Sequence, residues 1–141
     1  MVFKKLDNRY MLRLVQGEDV LETLLDFCRR EHILLGRITA LGGMENVTLG
    51  LLRKSDKQFV RRTFDEGLEV ASLFATITEQ EGQPYLHVHV TVCDADMNAY
   101  GGHLFGGTVF PTLEVIIEVF EGGHVGRALD PDTGLLLMDL S

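Results

Sequence analysis

Three of the chain's five histidines, His87, His89 and His103, fall within the stretch "LHVHVTVCDADMNAYGGHLFGG". Neutral imidazoles suit borderline divalent ions such as zinc or nickel, and a set of three leaves a coordination position open. In "PYLHVHVTVCD" the alternation is strict: Leu86, Val88, Val90 and Val92 face one way, and His87, His89, Thr91 and Cys93 the other. The valine face reads as core. His87 and His89 then share the opposite face with Cα atoms about 6.6 Å apart, so both rings can turn onto one ion. The same His-x-His pattern also occurs on solvated strand faces, and spacing alone leaves both readings open.

His103 lies between Gly101-Gly102 and Gly106-Gly107. Glycine tolerates left-handed backbone and close approach, so a loop here can fold back and bring His103 over the other two. The following "TVFPTLEVIIEVFEG" reads as a long strand, with Leu113, Val115, Ile117 and Val119 on one face and Thr112, Glu114, Ile116 and Glu118 on the other. Glu114 is a candidate to orient a ligand histidine through its second nitrogen, or to act as a general base. A charged residue at a sheet rim or subunit contact is the plainer alternative. Cys93 reads as a small buried residue, His32 as a cation at a helix C-terminus, and His124 as a solvated loop residue. Neither a phosphate loop nor a nucleophile elbow is present.

The elements that must carry these residues follow from period and punctuation. In "RYMLRLVQGEDVLETLLDFCRREHI" a strand precedes the one long helix, with Asp19 as N-cap and Glu22 as its capping-box partner. Val20, Leu21, Leu24, Leu25 and Cys28 share a helical face, and Arg29 and Arg30 sit near the end where cations favour the dipole. Beyond the helix the pattern is of strands: "GRITALGG", "NVTLGLL", "QFVRRTFD", "EVASLFATITE", "YLHVHVTVCD", "TVFPTLEVIIEVFEG" and "GLLLMDL". "GGHVGRALDPDTG" reads as a polar loop before the last of them. The expected fold class is α+β: a mainly antiparallel, curved sheet with one main helix packed against it, as a single domain over residues 1–141.

Composition narrows the function classes. The net charge is −8 across 141 residues, which disfavours DNA as a partner, although Arg53-Lys54 and Arg61-Arg62 offer a local basic patch. Hydrophobic residues make up 45%, and mean hydropathy is +0.10, a rather apolar mix that suggests burial between subunits. Two cysteines, Cys28 and Cys93, make no disulfide framework and no CxxC motif. With no apolar signal core or membrane-length run, the expectation is a cytoplasmic protein with no membrane partner.

"YLHVHVTVCDADMNAYGGHLFGGTVFPTLEVIIEVF" resembles the signature of the PPC domain (plants and prokaryotes conserved): a histidine pair on a strand, then Gly-Gly-His-Leu, then a Thr-x-Glu strand. Upstream, "GEDVLETLLDFCRREHILLGRITALGGMENVTLGLL" is similar to that family's helix and glycine-bounded strand pair. The resemblance implies a stand-alone prokaryotic-type domain that assembles as a homotrimer. It also implies that His87, His89 and His103 hold a metal, reported as zinc in some members. Plant relatives join the domain to AT-hooks. This sequence carries no Arg-Gly-Arg-Pro-like hook, and "RTFDEGLEVASL" departs from the plant contact segment by a glycine-containing insertion.

Three functions are therefore carried forward. The first is a homotrimeric metal- or small-ligand-binding or regulatory module. The second is a DNA-binding protein, and the third a metal-dependent hydrolase or lyase acting through a metal-bound water, with Glu114 as base.

Overall fold

A computed structural model describes residues 1–141. Seven strands form one antiparallel sheet: β1 (Val2–Leu6), β2 (Arg9–Val15), β3 (Gly36–Arg53), β4 (Gln58–Phe64), β5 (Leu68–Gln80), β6 (Gln83–Cys93) and β7 (Ala99–Val119). Their order is β1-β2-β7-β6-β5-β3-β4, and β7 also pairs with β3, so β7, β6, β5 and β3 close on themselves. The α+β class with a curved antiparallel sheet is the observed one. No helix is long and apolar enough to cross a membrane.

The single helix, α1 (Val20–Arg30), starts where Asp19 accepts the Glu22 amide at 2.8 Å and ends with Arg29 and Arg30 in its last turn. Just beyond it, His32 takes a left-handed φ of 54°. Val20, Leu24, Phe27 and Cys28 are buried, whereas Leu21 and Leu25 are only partly so. Phe27 was not on the expected face, yet its ring packs edge-on against Phe3 at 5.0 Å and Tyr10 at 5.2 Å. The partner strand β1, absent from the sequence reading, explains why. Burial raises the Cys28 thiol to about 12, which leaves it protonated and inert.

Two expected strands prove to be one. "GRITALGG" and "NVTLGLL" are halves of β3, an 18-residue strand whose register shifts between Ala40 and Gly42 let it bend around the core. Likewise β7 starts at Ala99, so His103 lies in a strand rather than a loop. The polar stretch after β7 is also corrected. It contains β8 (Gly126–Leu129), which pairs with β9 (Leu136–Asp139) in a separate hairpin. Cys93 is half-buried at the end of β6, not buried as expected.

Glycine permits the closure. A Cβ on Gly102 would lie 2.6 Å from the Gly50 carbonyl oxygen of β3, and one on Gly50 would lie 2.6 Å from the Phe105 ring. Here the need is for space rather than for left-handed backbone. Gly102→Ala should therefore cost about 1–3 kcal/mol by pushing β7 off β3. Gly106→Ala, where a Cβ meets nothing within 4 Å, should stay within about 0.5 kcal/mol of the parent. Urea unfolding of the two variants reads both values.

Candidate metal centre

The first part of β7 pairs with β6 on one side and β3 on the other, and register sets the histidines. His103 is directly opposite His89 on β6 and opposite Gly50 on β3. His87 lies two residues along β6, on the same outward face, while Val88, Val90 and Val92 are buried on the other. One ligand nitrogen from each of His87, His89 and His103 lies within 4.8 Å of the others. The Nε2 atoms of His87 and His89 are 3.2 Å apart. Tetrahedral zinc with bonds of about 2.0–2.1 Å separates its nitrogens by about 3.3 Å, so this pair is already at ligand spacing. His103 completes the set within 4.8 Å, and ligation of one ion by all three requires its ring to move closer to the pair. The donor set therefore fits a divalent ion.

The surroundings of the trio are aromatic and cationic. Phe59 of β4 and Phe105 of β7 wall His103, with ring centroids at 5.6 and 4.7 Å. Arg61 stacks over Phe105 at 3.8 Å. Arg127, from β8, stacks over Tyr85 at 4.5 Å beside His87. Partial burial, reinforced by the charges of the other two histidines and Arg61, pushes His103 down to about 4. Burial, with His89 and Arg127, also lowers His87. Both rings are thus neutral at neutral pH, as metal ligation requires.

Glu114 is not brought to this site. It sits opposite Arg13 on β2 and Leu41 on β3. From there β6 is reached only across β3 and β5, three strand spacings or roughly 14 Å. Within one chain it neither orients a ligand histidine nor serves as a base there. Instead it lines a cavity of about 650 Å³ with Met11, Arg13, Leu41 and Ile116. His124 is largely solvated, as expected, with Nδ1 3.0 Å from Glu79. Sequence reasoning missed Phe59, Phe105 and Arg127, and read Arg61 only as part of a basic patch. Only the alternation of His103 and Phe105 offered a local signal for any of them.

The model of the Plants and Prokaryotes Conserved (PCC) domain matches residues 1–121. The chain belongs to this family. Among solved structures, a "putative DNA binding protein" from Bacteroides thetaiotaomicron superposes with a TM-score of 0.94 at 30% identity, covering 98% of this chain and 96% of that one. A metal-containing protein from Archaeoglobus fulgidus gives 0.86 at 31% identity, over 97% of both chains. A plant- and prokaryote-conserved protein from Pyrococcus horikoshii gives 0.88 at 26%, over 99% and 96%. The bifunctional protein GlmU of a Synechococcus strain is 29% identical over 129 residues, 90% of this chain. The PCC chain spans about a fifth of the length of these curated relatives, 20% and 19% in the two cases.

The depressed His103 value has a consequence for stability without metal. Between its ordinary 6.5 and about 4, the unfolded chain takes up a proton that the folded chain refuses. Stability is thus fully present above pH 6.5 and declines as pH falls towards 4. His87 acts with the same sign. Thermal unfolding of metal-free protein across this window should show a falling Tm, and His103→Gln should flatten the fall.

Proposed function

We propose that this chain is a metal-binding module in which His87, His89 and His103 hold one divalent ion, zinc, within a homotrimer. The observation that carries the reading is the approach of three imidazole nitrogens to within 4.8 Å on one outward sheet face. An all-nitrogen set of three favours zinc among the common biological ions, with copper and nickel as chemical competitors. The metal-containing relative from Archaeoglobus fulgidus is consistent with it. A bound ion supplies Lewis acidity to whatever occupies its remaining positions. No carboxylate belongs to the three-histidine group. A hydrolase or lyase reading therefore lacks its proposed base within one chain.

The homotrimer rests on the resemblance and on the outer sheet face. Phe74, directly opposite His89, begins a line that continues through Thr39 and Ile116 to Met11. Phe74 is 48% exposed, Ile116 44%, Met11 51% and nearby Leu41 57%, enough apolar surface to favour association. Of the alternatives, DNA binding draws on the description of the Bacteroides relative. Against it stand the net charge of −8 and the engagement of Arg61 and Arg62 with Phe105, Phe64 and Tyr100.

Elemental analysis of purified protein should return about one zinc per chain, since a three-imidazole site takes one ion. His87→Ala with His89→Ala should lose it, and absence of metal from the parent would remove the reading. Light scattering should report a trimer, and a monomer would count against assembly. In a gel-shift on AT-rich duplex no retention is expected even at low salt, where phosphate contacts are strongest.

A further inference from the structure

The segment after residue 121 lies outside the family match, yet it contributes a charge beside the histidines. The β8–β9 hairpin packs on β5 through Arg127. Its Nε donates to Thr78 Oγ1 at 2.8 Å, Nη1 to the Leu136 carbonyl at 3.0 Å, and Nη2 reaches Thr76 Oγ1 at 3.5 Å. Thr76 is the residue directly opposite His87, and Tyr85, under the guanidinium, lies two positions before His87 on the same face. The Nη2 end therefore lies over the rim of the histidine cluster. A directly opposed pair has its Cβ atoms about 4.5–5.5 Å apart, which places Thr76 and His87 side by side.

Arg127 is half-buried and has no carboxylate within 4.0 Å, whereas every salt bridge in the chain lies elsewhere. Burial without a counter-ion lowers its pKa. Of the five N–H groups of a guanidinium, three are engaged, which leaves two. On the far side Arg61 adds a second cation. The charged neighbours that influence His87 and His103 are these two arginines and the histidines themselves, with no acid among them. Three neutral ligands leave a divalent ion's charge uncompensated, so ion and arginines together make a positive patch in an acidic chain.

We infer that Arg127 is an anion-binding residue of the metal centre, and that the open position takes a small oxyanion, carboxylate or phosphate, bridged between the ion and this guanidinium. The inference rests on the metal reading above and specifies what the site binds. The C-terminal hairpin is then part of the site, and ligand selectivity comes from a segment that the family match does not include. Arg127 offers the planar donor fork that pairs with carboxylate and phosphate oxygens.

The test uses the full chain loaded with cobalt(II), whose visible absorption reports its ligands, titrated separately with inorganic phosphate and acetate. Metal content is measured first in every variant. In the parent, one or both anions should change the spectrum saturably, and the tighter of the two identifies the oxyanion class. Arg127→Met should bind cobalt with unchanged stoichiometry and weaken the anion by roughly tenfold or more, as for a lost charged hydrogen bond. Arg127→Lys, which keeps the charge but not the fork, should recover part of that loss. Anion affinity in Arg127→Met equal to the parent's would overturn the inference. So would equal losses in the Met and Lys variants accompanied by faster proteolysis of the hairpin, because Arg127 would then only hold β8 in place. Failure of the parent to bind cobalt would sink the metal reading itself, a result read before any anion is added.

Discussion

The double pairing of the first half of β7 is the constraint on which the rest of the molecule depends. This segment hydrogen-bonds to β6 and to the far half of β3, which turns an open sheet into a closed one. Closure requires backbone to pass backbone with no side chain between, and Gly50 and Gly102 meet at that crossing. The same pairing sets His103 against His89. Stability and the candidate metal centre thus share one structural cause, and neither can be altered at Gly102 without the other.

Electrostatics around the histidines run against the character of the chain. A protein with net charge −8 gathers two arginines and three imidazoles on one patch and leaves carboxylates out of it. Aromatic rings support both arginines, Phe105 beneath Arg61 and Tyr85 beneath Arg127, so the cations are held in place without acidic partners. Next to the patch runs the apolar line from Phe74 to Met11. Any subunit packed on that line sits against the rim of the site, because Phe74 and His89 are direct cross-strand neighbours.

Local patterns read well where one element decides the outcome. Strand alternation assigned Val88, Val90 and Val92 to the core and His87 and His89 to the opposite face, because side-chain direction in a strand follows parity alone. Helix capping at Asp19 was legible for a similar reason: the cap and its amide are three residues apart. Phe27 was not, since its burial depends on Phe3 and Tyr10 from strands distant in sequence. Glu114 was misplaced for the converse reason. Its parity was read correctly, but a shared strand with His103 does not imply a shared neighbourhood when ten residues of extended chain separate them.

By itself, then, the sequence determined the α+β class, the single capped helix, the faces of β6 and β7, and the family resemblance with its His87, His89 and His103. These rest on periodicities and motifs within one element or a few turns of chain. Only the tertiary structure decided that β3 is one bent strand, that His103 meets His89 across a ladder instead of from a loop, and that Arg61 and Arg127 flank the cluster. Each of these depends on which strands pair and in what register. Register is an energy of the whole closed sheet, summed over contacts between residues far apart in the chain, and no local window of residues contains it.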